Sequence, residues 1–157
     1  MGLEMNLYKR TYVGNPNRSD DDKVRLHNCD LKINENNIVH IDEIVGRWFK
    51  ANAIHKWFVD NCQDRVDNCR FTIVDHEQLE CLLDLCKELL NLDNEGNPHL
   101  NLEKAKEELP TCEGTYFGSQ EFDDSYIEDL KRTIEIIESI LNVEDWDDSN
   151  YYYESSW

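Results

Sequence analysis

The stretch Gly46–Cys62, GRWFKANAIHKWFVDNC, decides how the rest of the chain is read. Wound as a helix at about 100° per residue, it gathers Trp48, Ala51, Ile54, Phe58, Val59 and Cys62 on one side, as a helix laid against a core does. Arg47 and His55 fall inside that apolar stripe, and Asn52 lies at its margin. A cation left unpaired there is costly, so the pattern calls for an internal carboxylate or an anionic ligand to meet Arg47. The stretch alone leaves both open.

Before it, Leu7–Val13 (LYKRTYV) is a β-rich run closed by the turn signal Gly14-Asn15-Pro16-Asn17, and Val24–Ile33 alternates in a way that suggests a second strand. Ile38–Val45, rich in β-branched residues, favours a strand that leads up to Gly46. After it, Arg70–Val74 is another short β-rich segment. Asp75 with Gln78 forms a capping-box pattern opening a helix to about Leu90, with Leu79, Leu82, Leu83, Cys86, Leu89 and Leu90 on one face. Asn91–Asn101 reads as a loop, and Leu102–Leu109 as a short helix stopped by Pro110. Ser125 and Glu128 suggest a second capping box for a last long helix to about Asn142, with Tyr126, Leu130, Ile134, Ile137 and Leu141 inward. Tyr151–Trp157 (YYYESSW) suits a final edge strand. The result is an α+β fold: three longer helices packed on a small, mostly antiparallel sheet, in a single domain over residues 1–157.

The formal charge of −18 is unevenly placed. Residues 1–74 carry 11 acidic and 11 basic side chains, and residues 75–157 carry 23 and 5. Direct nucleic-acid binding needs a basic face, so this balance disfavours it. The start, MGLEMNLYKR, has no apolar core of signal-peptide length, and no apolar run of membrane-spanning length occurs, so a cytoplasmic location without membrane attachment is expected. The six cysteines show no C-x-x-C pair and no zinc-finger spacing, and His40 with Asp42 or His27 with Cys29 supplies two ligands at most; no metal and no cofactor is expected. No G-x-S-x-G elbow, H-E-x-x-H or phosphate-binding G-x-x-x-x-G-K-[ST] loop is present, which weighs against an enzyme, and no catalytic residue is named.

Arg47, Lys50 and His55, with Asn52, offer donors to phosphate or carboxylate. Trp48 offers a flat face for a base, as do Tyr116 and Phe117, which stand between Gly114 and Gly118 just before Ser119, as in a hairpin tip or a ligand-lining loop; a tight turn whose two rings finish the core accounts for the same stretch. The combination suits a small anionic, nucleotide-like ligand. A buried arginine paired to a core acid, beside a hydrogen-bonded histidine, accounts for the same pattern without any ligand.

Three stretches carry a resemblance: Met1–Tyr8 (MGLEMNLY), Arg47–Phe58 (RWFKANAIHKWF) and Leu109–Ser119 (LPTCEGTYFGS), followed by the terminal SSW. They resemble a family of small uncharacterised bacteriophage and prophage proteins that open close to MGLDMYLY and carry RKANAIHKWF; Glu4 and Asn6 depart from that opening. The resemblance implies a phage or prophage origin and so a bacterial host cytoplasm. On it rests the expectation of a counter-defence sponge that sequesters a nucleotide-derived immune signal. The alternative is an acidic DNA mimic that occupies a host nuclease or restriction enzyme, which makes a host defence protein the partner. A homo-oligomer is compatible with either.

Overall fold

The computed structural model describes residues 2–14, 33–34, 37–92, 98–142 and 149–157. The strand expected over residues 24–33 lies outside them apart from Ile33, as do His27, Cys29 and the acids Asp145, Asp147 and Asp148. In chain order the elements are β1 (Glu4–Tyr12), β2 (His40–Phe49), α1 (Asn52–Cys62), β3 (Thr72–Val74), α2 (His76–Leu89), β4 (Leu90–Leu92), β5 (Pro98–Leu100), α3 (Leu102–Glu108), α4 (Asp124–Leu141) and β6 (Ser149–Ser156). The fold is α+β, with an antiparallel four-stranded sheet in the order β2-β1-β6-β3 and a small β4-β5 hairpin.

Three corrections concern the strands. The segment expected to be helical from Gly46 is strand up to Phe49, and the helix begins at Asn52. Pairing decides this: Trp48 faces Met5, Gly46 faces Leu7, and both β2 residues sit on the core side while Arg47 and Phe49 turn outward. The terminal segment is a strand, but an interior one, because β1 and β3 flank it. Tyr151 and Tyr153 are thereby buried beneath the helices. The loop expected over residues 91–101 contains most of the β4-β5 hairpin.

The core lies between one face of the sheet and the helices. Leu3, Met5, Leu7, Trp48, Tyr151 and Tyr153 meet Ile54 and Phe58 of α1, Leu79, Leu82 and Leu89 of α2, and Leu130 and Ile137 of α4. The Phe58 and Tyr153 rings stack with centroids 4.1 Å apart and 10° between planes. Trp48 is fully buried, and its indole N–H donates to Thr133 Oγ1 at 2.9 Å, so its one polar atom is satisfied inside the core. The expected capping box at Asp75 and Gln78 is present. The cap of α4 is Asp123 rather than Ser125, since its carboxylate accepts from the amides of Ser125 and Tyr126.

On the other face Arg10 forks onto Asp42 at 2.6 and 2.7 Å and lies over the Phe71 and Tyr152 rings at 4.9 and 4.8 Å from their centroids. No helix among the described residues is long and apolar enough to cross a membrane.

β2 and α4 approach closely because residue 46 has no side chain. A Cβ there meets Ile136 Cγ2 at 2.7 Å and the Trp48 ring at 3.2 Å. Gly46→Ala therefore overpacks the sheet–helix contact, and its unfolding free energy in urea is expected to fall by about 1–3 kcal/mol.

Candidate functional site

The chain leaves β2 at Phe49 and enters α1 at Asn52, and Lys50 makes the turn with φ 59°. A non-glycine residue in this left-handed region costs roughly 1–2 kcal/mol, which the surrounding contacts have to offset. The loop Thr111–Phe122 packs onto the same turn. Gly118, with φ 97°, lies so close that an added Cβ meets the Lys50 carbonyl oxygen at 2.8 Å, and Tyr116 also has a positive φ of 63°. Glycine is required at 118 both for its backbone and for the approach.

Asn52 holds this loop to the helix. Its Nδ2 donates to the carbonyls of Phe117 at 3.2 Å and Ser119 at 2.7 Å, its Oδ1 accepts from the Cys112 amide at 3.2 Å, and its own carbonyl accepts from Cys112 Sγ. The carboxamide has little left to give a ligand. His55 is similarly committed: it is 1% exposed, with Nδ1 2.8 Å from the Tyr153 hydroxyl and Nε2 3.0 Å from Asp67 Oδ2. Burial pushes the Tyr153 hydroxyl well above its ordinary range, so it keeps its proton at the contact with Nδ1. Trp157 N–H bonds the other Asp67 oxygen at 3.1 Å, and its ring meets Phe117 edge-on.

The sequence-derived residues therefore divide. Trp48 and Phe117 are core, and Phe117 packs edge-on to the His55 ring at 5.3 Å. Arg47 is not in a helical stripe; it is exposed on β2 and donates to Asn6 Oδ1 at 3.1 Å. Tyr116 is 71% exposed. Lys50, Asn52 and Ser119 are brought together as walls of one cleft of about 230 Å3, completed by Phe49, Ala53, Thr111, Gly118, Glu121, Asp123, Ser125, Tyr126 and Asp129.

Asp123 is engaged in this cleft: the Ser119 hydroxyl, first, and the amides of the α4 first turn hold its carboxyl below the usual carboxylate range. Asp129 differs. Burial, with the nearby Asp123 charge adding to it, raises its carboxyl from 3.8 to about 7, and among the described residues its side chain has no hydrogen bond or ion pair. Lys50 likewise has no side-chain acceptor among the described residues, and the α1 N-terminus beside it has no side-chain cap. A signal for Asp129 exists in the sequence, because it stands three residues after Tyr126 and four before Thr133, within the buried stripe of α4.

Among the described residues no group of three His, Cys, Asp or Glu side chains is placed to hold a metal ion. No protein-family model, curated protein or solved structure matches the chain.

Asn52→Ala leaves the Phe117 and Ser119 carbonyls and the Cys112 amide without their partner, and is expected to lower unfolding free energy by about 2–3 kcal/mol in denaturant titration. Asp129 keeps its proton to higher pH when folded, so its contribution to stability is full below pH 3.8 and is lost as pH rises through about 7. Asp129→Asn removes that loss. With partial solvent screening allowed for, the variant should exceed the parent by about 1–2 kcal/mol in urea titrations at pH 8, and the gain should shrink toward pH 4.

Proposed function

We propose that the chain is a binding protein that takes up a small nucleotide-derived molecule in the Lys50–Asp129 cleft and holds it without turnover, as a phage counter-defence sponge does. The observation that carries the reading is that Lys50, with no side-chain acceptor among the described residues, and the partly buried Asp129, with no hydrogen bond or ion pair among them, line one cleft. Uncompensated polar groups facing a cavity favour a ligand that satisfies them.

The two groups lie on different walls. Lys50 belongs to the β2–α1 turn, next to the uncapped start of α1, and suits a phosphate. Asp129, with Glu121 on the loop wall, accepts hydrogen bonds and suits the donors of a base edge or a ribose. The volume matches a nucleoside-sized portion better than a whole dinucleotide, so the rest of such a ligand would extend outward past the exposed Tyr116. Glu121 and Asp123, with a part-ionised Asp129, against one lysine disfavour a ligand that is anionic throughout.

The DNA-mimic reading has less support. Several acids of the second half are paired to lysines, between helices in Lys87–Glu138 and Lys104–Glu88 and within α4 in Lys131–Glu128, which breaks up a continuous negative face.

Calorimetry of the purified protein against cyclic dinucleotides and ADP-ribose derivatives tests the proposal. Saturable heat with at least one compound is expected, with the compound recovered intact by mass spectrometry and its affinity reduced about tenfold in Lys50→Ala and in Asp129→Asn. Absence of heat across the panel, or binding indifferent to both substitutions, overturns it.

A further inference from the structure

The hydrogen-bond alternation of β1 with β2 fixes which groups of β2 face away from the sheet. Lys50 N–H bonds the Leu3 carbonyl and Val13 N–H bonds the Val39 carbonyl. In an antiparallel ladder alternate residues make these bonds, so Lys50, Trp48, Gly46, Glu43, Ile41 and Val39 of β2 and its flanks face β1. His40, Asp42, Ile44, Arg47 and Phe49 direct their amides and carbonyls to the opposite side, where β2 has no neighbouring strand among the described residues. An independent contact agrees: Arg132 of α4 donates its Nε–H to the Arg47 carbonyl at 2.6 Å, occupying the place of a strand donor. Val45, the extra residue of a bulge opposite Leu7 and Tyr8, sits midway along this edge.

The edge is long, apolar at its centre and charged with opposite signs at its ends. Ile44 is 48% exposed, and it lines a shallow groove of about 400 Å3 with Val45, Gly46, Arg47, Arg132 and Ile136. Asp42 and Glu43 stand on the N-terminal side of that centre, and Arg47 and Arg132 on the C-terminal side. Glu43, Arg47 and Arg132 have no ion-pair partner among the described residues.

We propose that the occupant of this edge is the β2 strand of a second copy of the chain, antiparallel about a two-fold axis between Ile44 and Val45. In that register Asp42 of one copy is opposite Arg47 of the other, two residues whose backbone groups both face the edge. Both side chains lie on the outer face of the sheet, as opposite residues in a ladder must. Glu43 is opposite Gly46, on the helix side, where Arg132 enters from α4. The Asp42 amide of the partner takes the Arg47 carbonyl, and Arg132 is released to the partner's Glu43. An edge with acid on one half and base on the other is complementary to itself only in the antiparallel sense, which is the isologous pairing a two-fold dimer requires. The two four-stranded sheets become one sheet of eight.

Sedimentation velocity of the full chain is the test. The parent is expected to sediment at twice the 18.6 kDa monomer mass at micromolar concentration. Ile44→Lys should weaken self-association by about tenfold or more, whereas Ile73→Lys, at an equally exposed site on the opposite edge strand β3, should not. Glu43→Arg and Arg132→Glu singly should weaken it, and the double substitution, which restores opposite charges across the axis, should recover it. A parent that stays monomeric, a dimer broken by Ile73→Lys instead of Ile44→Lys, or a double substitution no better than the singles overturns the proposal; circular dichroism verifies that each variant is folded.

Discussion

A chain that ends a strand at Phe49 and starts a helix at Asn52 has two residues in which to change direction, and Lys50 does so in a left-handed backbone conformation. That constraint organises its surroundings. Gly118 can approach only because it lacks a side chain, Gly2 lies against the Lys50 stem and the Tyr116 carbonyl, and Asn52 ties both ends of the 112–119 loop to the first turn of α1. The strain in the turn and the closed hydrogen bonding of Asn52 belong to one arrangement: a rigid corner with a cleft on its outer side. Backbone strain of this kind persists where packing and hydrogen bonds over-determine the conformation.

Behind the corner, His55 explains how a polar helix face can be buried without penalty. Its two nitrogens join the hydroxyl of the interior strand β6 to Asp67 in the turn after α1, and Trp157 closes the chain on the same carboxylate. The network fixes the Trp157 end of β6, α1 and the 64–70 turn relative to one another, and each of its four members has a partner, which is the condition under which a polar cluster specifies a core instead of weakening it. The imidazole is therefore a structural element, and the chemistry open to solvent lies one helix turn away at Lys50 and across the cleft at Asp129.

The edge of the sheet follows from the same closeness of packing. Gly46 allows α4 to reach β2, and that proximity delivers Arg132 to a carbonyl of the outermost strand. The bulge at Val45 lets Trp48 and Gly46 point to the core although the residues before Val45 keep the opposite phase. A helical wheel drawn through this region averages over that change of phase and places Arg47 beside Trp48, whereas the pleat puts them on opposite faces.

Local chemistry by itself determined the elements whose signals are local. The Asp75–Gln78 cap and its leucine stripe define α2, the stripe from Tyr126 to Ile137 defines α4, and the β-branched run after Ile38 defines the start of β2, so the α+β class is legible in the chain. Lys50, Asn52 and Ser119, expected from the sequence to lie together, do line one cleft. Only tertiary structure decided that β2 runs on to Phe49, that β6 is interior, that Arg47 faces outward, and that Asp129 closes the cleft. The physical reason is that strand order, the phase of a bulge and the desolvation of a carboxyl are set by partners tens of residues away, and no periodicity within a segment encodes them.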